Sequence, residues 1–354
     1  MSDLAPGSPG LDTSLLAGFR FACRPDCGLC CYTEPRVSRA ERERLVQIEP
    51  AVSFTGEGAD RFIASRGDGG ACGLLKGNRC GAHVARPHPC REFPLTAHVG
   101  TRLQATVVLS CPGVDLSALE QLLPRDGGPP GAGFPSELTA LESRIDSSTP
   151  ARLAASTRRR RKVERALTEQ GRWQDEEEVR RVLERSLSSP SDRAFPVADP
   201  PAAEDGLDLL PLFFDDREAP VAMARGLGGW EFLELRPVGG VGRSLGVVPP
   251  PDRAPPVRPD GARMLDAYLR YWLRRDALFG FVHAEMVRGR GTTTVLEAVR
   301  AELETIGAVV LSRAEARVKL QRGVAGPLSR DDIVDGIRAS DQDLLDRDGW
   351  GDRF

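Results

Sequence analysis

The sequence predicts an α+β fold, and three observations carry that expectation. All eight cysteines lie in the first third of the chain, from Cys23 to Cys111, and none follows. Residues 135–187 repeat apolar side chains at helical spacing. Beyond residue 206, four short apolar runs alternate with Asp-, Gly- and Pro-bearing turns before two long helical patterns close the chain. The expected layout is a flexible N-terminal tail (1–18), an irregular cysteine-stapled domain (19–118), a helical segment (135–187), a linker (188–205) and a sheet-plus-helix C-terminal domain (206–354).

Composition narrows the function. With 354 residues, 40% of them hydrophobic and 28% charged, the chain suits a globular protein of two or three domains. A net charge of −3 excludes a bulk polycation, so nucleic acid is not an expected partner. Lysine occurs only at Lys76, Lys162 and Lys319, an arginine bias that follows genome composition rather than function. Residues 1–14 carry no basic stretch followed by an apolar one, so no secretory signal is expected. The most apolar stretch, Met264 to Val287, is interrupted by Asp266, Arg270, Arg274, Arg275 and Asp276 and does not read as a membrane span. A cytoplasmic protein with reduced thiols is the expectation.

The cysteines are spaced C-x3-C-x2-C-C (Cys23, Cys27, Cys30, Cys31), then C-x7-C-x9-C (Cys72, Cys80, Cys90), then Cys111-Pro112-Gly113. Disulfides need an oxidising compartment, and redox chemistry at a single cysteine does not require eight. Soft thiolates in local pairs suit zinc or an iron–sulfur cluster. All eight cysteines are therefore candidate ligands. In Cys27-Gly28-Leu29-Cys30 the two-residue spacing turns both sulfurs toward one ion, and Gly28 relaxes the backbone for a tight turn. Cys30 and Cys31 are adjacent, so their side chains tend to diverge. One of them serves a different metal or packs as a small apolar group. Eight thiols allow two four-cysteine sites, and one site plus packing cysteines fits equally well. Arg24, Arg79, Arg86 and Arg91 lie close enough in sequence to offset thiolate charge, and Asp26, Glu34 and Glu92 to orient ligands or pair with those arginines. Arg91 is expected to donate to the Cys90 thiolate, with Phe93 and Pro94 walling the site from water.

Three boxes give this region a resemblance. Cys23-Arg24-Pro25-Asp26-Cys27-Gly28-Leu29-Cys30-Cys31, then Cys72-Gly73-Leu74-Leu75 with Cys80, then Arg86-Pro87-His88-Pro89-Cys90-Arg91-Glu92-Phe93-Pro94 resemble the YkgJ-type cysteine-cluster family. The likeness covers about Phe19 to Asp115. It implies a zinc- or iron-chelating domain with a CxxCxxCC-like start and an RPxxCRxFP-like finish. Two departures stand out: the first gap is three residues rather than two, and Ala82-His83 replaces an Ile-Tyr pair, which brings His83 in as a further donor. The flagellin lysine N-methylase group carries a similar cluster and implies, as the alternative, a cluster-dependent enzyme using S-adenosylmethionine. The C-x3-C-x2-C spacing also fits the radical S-adenosylmethionine signature. A partial barrel of strand–helix units would then have to follow, and Glu34 to Gly100 is too short and irregular for one.

The remaining two thirds show no catalytic frame. Pro124 to Gly133 reads as a linker. Leu138, Leu141 and Ile145, then Val179, Val182, Leu183 and Leu187, keep helical spacing, and the basic run Arg158 to Lys162 between them reads as a solvated helix face. Strands are expected at Leu207–Phe214, Val221–Arg225, Trp230–Arg236 and Ser244–Val248. Gly226 to Gly229 and Gly239 to Gly242 lack the Lys-Ser/Thr pair of a phosphate loop and read as turns. After a Pro-rich hinge, Met264 to Val287 reads as one long buried helix and Thr293 to Ala308 as another. Tyr268, Tyr271, Trp272, Phe279 and Phe281 should form the core there, with His283 a core histidine. The sequence thus points to metal binding in a structural, electron-carrying or sensory role. Its expected partner is an unidentified protein or redox partner, with no membrane.

Overall fold

The computed structural model describes residues 10–24, 27–32, 35–57, 61–66, 71–77, 79–121, 132–146, 148–187, 195–196, 210–214, 220–226, 229–236, 240–249, 251, 253–289, 293–324 and 326–345. It is an α+β fold. The chain starts with β1 (Leu11–Asp12) and a 3-10 turn at Ser14–Leu16. Helix α1 (Arg39–Ile48) opens on a capping box in which Ser38 and Glu41 satisfy each other's backbone N–H groups. Two-residue strands then pair as small hairpins, β2 (Phe54–Thr55) with β3 (Phe62–Ile63) and β4 (Leu75–Lys76) with β5 (Arg79–Cys80). The short α2 (His88–Glu92) leads into β6 (Leu95–Val99) and β7 (Leu103–Val107), an antiparallel pair to which β1 adds in parallel along β7. Part of the expected flexible tail is therefore structured: Leu15 and Leu16 are buried, since two adjacent leucines find a core in β7 that local sequence does not announce.

The helical segment forms as expected, with α3 (Ser117–Gln121) preceding α4 (Pro135–Glu142), α5 (Thr149–Glu169) and α6 (Glu176–Leu187). On α5, Arg158, Arg159, Arg161 and Lys162 are exposed, and Arg160 pairs with Glu176 at 2.7 Å. Strands β8 (Leu210–Phe214), β9 (Pro220–Gly226), β10 (Gly229–Arg236) and β11 (Gly240–Val248) form the anticipated antiparallel sheet, in order β11-β10-β9-β8. The first Gly-rich piece closes the β9–β10 hairpin, with Gly226 opposite Gly229. A side chain at Gly229 would clash with the Val248 carbonyl. Most of the expected linkers, 124–133 and 188–205, lie outside the described residues. Phe195 is described, and its ring covers Gly307 in the main core.

The chain ends in α7 (Pro259–Arg274), α8 (Asp276–Arg288), α9 (Val295–Arg322), α10 (Arg330–Arg338) and α11 (Asp341–Leu345). The single helix expected over Met264–Val287 is thus two. Arg275 takes an extended conformation between them (φ −74°, ψ 124°), and its buried guanidinium pairs with Asp341 at 2.8 Å. The N–H of Asp276 donates to Gln104 on β7, so tertiary partners make the break. Tyr268, Tyr271, Trp272 and Phe279 are buried as expected, with Phe281 half-buried against them. No helix among the described residues is long and apolar enough to cross a membrane.

The core does not follow the expected domain bounds. One apolar cluster takes in Leu15 and Leu16, the β6–β7 pair, α5, α6 and α7 to α10. A second, small cluster holds Val37, Leu45, Val52, Ile63, Cys72, Leu74 and Ala82. The cysteine region is therefore split between a small lobe and the main body.

His283 is 2% exposed, with Glu176 of α6 3.6 Å from its Nδ1 and Arg160 of α5 nearby. Burial, reinforced by Arg160, holds its imidazole down to about 3. A folded value below the unfolded ~6.5 means that its contribution is complete above pH 6.5 and is lost as pH falls. The slope is about 1.4 kcal/mol per pH unit. His283→Phe should therefore remove about 1.4 kcal/mol of the stability lost between pH 7.5 and 5.5. Urea unfolding at the two pH values checks this, and an unchanged difference would refute it.

Candidate metal centre

The cysteines are positioned by backbone pairing rather than by long regular elements. The Phe21–Val114 bridge, with Ala22 N–H donating to Gly113 O at 3.0 Å, lays the start of the first cysteine loop against the Cys111 turn. The chain then turns twice: Cys27 N–H donates to Arg24 O, and Cys31 N–H to Gly28 O. Gly28 has a φ of +63°, the left-handed region that glycine enters at no steric cost. Leu29–Tyr32 is a 3-10 turn carrying Cys30 and Cys31. Cys72 N–H donates to Cys31 O, and the β4–β5 hairpin sets Cys80 opposite Leu75.

Cys90 lies on α2, which two carboxylates hold in place. Glu41 accepts Ser38 N–H (2.8 Å) on one oxygen and His88 N–H (2.7 Å) on the other, so the cap of α1 also anchors the start of α2. Glu92, at its end, is buried and pairs with Arg144. In the sequence Glu41 shows only as part of the Ser38-x-x-Glu41 capping box, which announces a helix start but not the second bond.

Cys23, Cys27, Cys30, Cys31, Cys72, Cys80 and Cys90 line one cavity of about 470 Å³. Ile63, Leu74, Pro35 and Pro87 supply its apolar wall, and Arg24, Arg79 and Arg86 its cations. His83 also lines it, with an exposed side chain. The thiols line the wall without converging: among the described residues, no group of three or more His, Cys, Asp or Glu side chains is closed around one ion position.

Burial pushes the thiols of Cys23, Cys27, Cys72, Cys80 and Cys90 up. Cys30 is instead held down to about 7, because the Cys31 thiol donates a hydrogen bond to it and is itself raised by that bond. A repeated local device opposes burial. The N–H two residues on donates to the sulfur at Cys27 (from Leu29), Cys72 (Leu74), Cys80 (Ala82) and Cys111 (Gly113). Such bonds favour the thiolate, the form that binds metal.

Several expected roles fall elsewhere. Cys111 is not on the cavity wall; it is buried in the main core, and burial pushes it up to about 12. Arg91 reaches toward Glu41 (4.0 Å), and Arg86 is the cation that acts on Cys23, Cys30, Cys80 and Cys90. Successive helix residues are rotated by about 100°, so Arg91 leaves Cys90's side of α2. Phe93 packs on the main core, and neither it nor Pro94 lines the cavity. Asp26 and Glu34 lie outside the described residues. After Cys31 the chain makes two-residue hairpins, so the described residues of 35–100 hold no strand–helix units of a radical S-adenosylmethionine barrel.

An α+β scaffold presenting a cavity walled by thiols and guanidinium groups defines a candidate site for a soft metal. Residues 22–111 match the family model CxxCxxCC, "Putative zinc- or iron-chelating domain", over roughly a quarter of the chain. Comparison with curated proteins and with solved structures gave no match. The residues present fit such a metal. The donors are soft, backbone N–H groups support four of the sulfurs, and the buried Arg86 Nε facing the cavity has no hydrogen-bond partner.

Proposed function

We propose that this is a metal-binding protein whose cysteines chelate an iron–sulfur cluster of the 4Fe–4S type, with zinc as the second metal the donor set accepts. The observation that carries the reading is the single cavity lined by seven thiols. Its volume of about 470 Å³ exceeds the room a lone cation needs and suits irons together with inorganic sulfide. The three arginines on its wall offset the charge of a thiolate-held cluster. When bound, the cluster supplies electron transfer, sensing or a structural staple. Cys27, Cys30, Cys80 and Cys90 hold it, with Cys31, Cys72 and Cys23 as the further donors on the same wall. A reducing compartment such as the cytoplasm keeps the thiols available, and an electron-carrying role requires a protein redox partner.

Anaerobic purification tests this. Brown protein with broad visible absorbance, iron and acid-labile sulfide is the expected result. Colourless protein with stoichiometric zinc would transfer the site to zinc, and a chain that takes up neither metal would refute the proposal. Cys27→Ser and Cys90→Ser each remove a soft donor and should lower metal content. If both keep full content, the ligand assignment is wrong.

A further inference from the structure

We propose that the outward face of α5 binds the phosphate backbone of duplex nucleic acid through Arg158, Arg161, Lys162 and Arg165. The inference goes beyond the metal-binding reading above and does not depend on it.

Helix geometry makes the stripe. At about 100° per residue, these four side chains fall within an arc of about 100° on α5 and along about 10 Å of its axis. All four are exposed. The buried Ser156, Val163 and Leu167 lie on the opposite face, as does Arg160, which pairs with Glu176. The helical period thus splits the basic run: Arg160 serves the fold, and the stripe faces water. Ala151 and Ala154 precede the stripe on the same face, and Glu169, the last residue of α5, is the first acid on its line.

The charge of the stripe is not balanced within the protein. Exposed arginines elsewhere are paired, Arg39 with Glu43 (3.0 Å), Arg288 with Glu285 (2.8 Å) and Arg322 with Asp332 (3.1 Å). Among the described residues, no carboxylate pairs with Arg158, Arg161, Lys162 or Arg165. Arg165 Nε donates to Arg161 O (3.4 Å), a bond along the helix that leaves its charge uncompensated. The four instead face one another. Arg158 with Arg161 and Lys162, and Arg165 with Arg161 and Lys162, are like-charge pairs three or four residues apart, which oppose helix formation. A polyanion laid along the stripe turns that repulsion into attraction. The net charge of −3 excludes a bulk polycation but not a local stripe.

The surroundings of the stripe select the polyanion. Helix α5 carries no aromatic side chain on which unpaired bases could stack, which disfavours a single strand. It also exposes no large apolar side chain, the anchor that a bilayer or a protein interface would use. Phosphate binding needs charge alone. A duplex carries one charge per about 1.7 Å of axis, so the length of the stripe spans enough phosphates for all four cations.

The test is fluorescence anisotropy of a labelled mixed-sequence DNA duplex titrated with the full-length protein. Four phosphate contacts predict a log–log salt slope of about −3.6, roughly a hundredfold loss of affinity between about 50 and 200 mM salt. Each single change, Arg158→Gln, Arg161→Gln, Lys162→Gln or Arg165→Gln, should reduce that slope by about 0.9. The quadruple variant should bind about a hundredfold more weakly, or worse, at about 50 mM salt. Glutamine is a good helix former, so circular dichroism should show the fold unchanged. Arg39→Gln, Arg181→Gln, Arg185→Gln and Arg288→Gln together remove the same charge from exposed positions on other helices and should leave the slope unchanged. An equal loss in that control would mean bulk charge rather than the stripe, and overturns the proposal. So does a wild-type protein that binds no duplex at low salt. Tighter binding to poly-glutamate than to the duplex at equal charge would assign the stripe to an acidic protein. Binding to phosphatidylserine vesicles without binding to the duplex would assign it to a membrane surface, and either result overturns the proposal as well.

Discussion

Asp341→Ala should destabilise the protein by about 3–5 kcal/mol, the cost of leaving a buried charge without its partner. Arg275 is 1% exposed and Asp341 fully buried. The guanidinium donates to both Asp341 oxygens (2.8 and 3.3 Å), to Thr106 Oγ1 (3.0 Å) and to Val107 O (2.9 Å). It also lies 4.4 Å from the ring centres of Tyr271 and Trp272. Asp341 further accepts Leu109 N–H (2.7 Å) and the Tyr268 hydroxyl (3.0 Å). Truncating the carboxylate strands the guanidinium and deprives a backbone N–H of its acceptor, so the loss exceeds that of one hydrogen bond. Replacing both partners, Arg275→Met with Asp341→Leu, should cost less than Asp341→Ala because neither charge remains buried. Denaturant midpoints with unchanged slopes check the pair. A loss below about 1 kcal/mol for Asp341→Ala would show that water reaches Arg275.

This ion pair also marks where sequence stops predicting structure. The strands β8 to β11 were legible because short apolar runs lie between glycine and proline turns, a local pattern that survives folding. Arg275-Asp276 showed only as charged residues in an apolar stretch; that the helix breaks there depends on Asp341 and Gln104, distant in the chain. The cysteine region divides the same way. Thiols, arginines and spacing identified the chemistry of the site. How the cysteine-bearing segments come together is set by residue 22 pairing with 113 and residue 31 with 72, and no spacing rule contains those contacts. Arg86 rather than Arg91 faces the sulfurs for a similarly geometric reason, since Arg91 directly follows Cys90 within α2.

Removing the metal should open the small cysteine lobe and leave β6 and β7 closed. Among the described residues the lobe's own core is seven buried residues, one of them Cys72, and its strands are two residues long. So small a cluster leaves most of the folding free energy to be supplied by metal–thiolate bonds. The Cys111 turn and the β6–β7 pair belong instead to the main core. Tyr271 there bonds Thr106 (2.9 Å) and Val107 N–H (3.0 Å), and Asp341 bonds Leu109 N–H. The sequence alone placed this boundary near residue 118; the core places it between Glu92 and Leu95. In hydrogen exchange with and without chelator, the amides of Val37, Ile63, Cys72 and Gly81, each bonded within the lobe, should lose protection. The expected loss is about a thousandfold or more, equivalent to about 4 kcal/mol. Those of Val107 and Leu109 should keep theirs. Equal protection in both states would mean that the lobe folds without metal, whereas loss spreading to Val107 and Leu109 would mean that the metal supports the whole core.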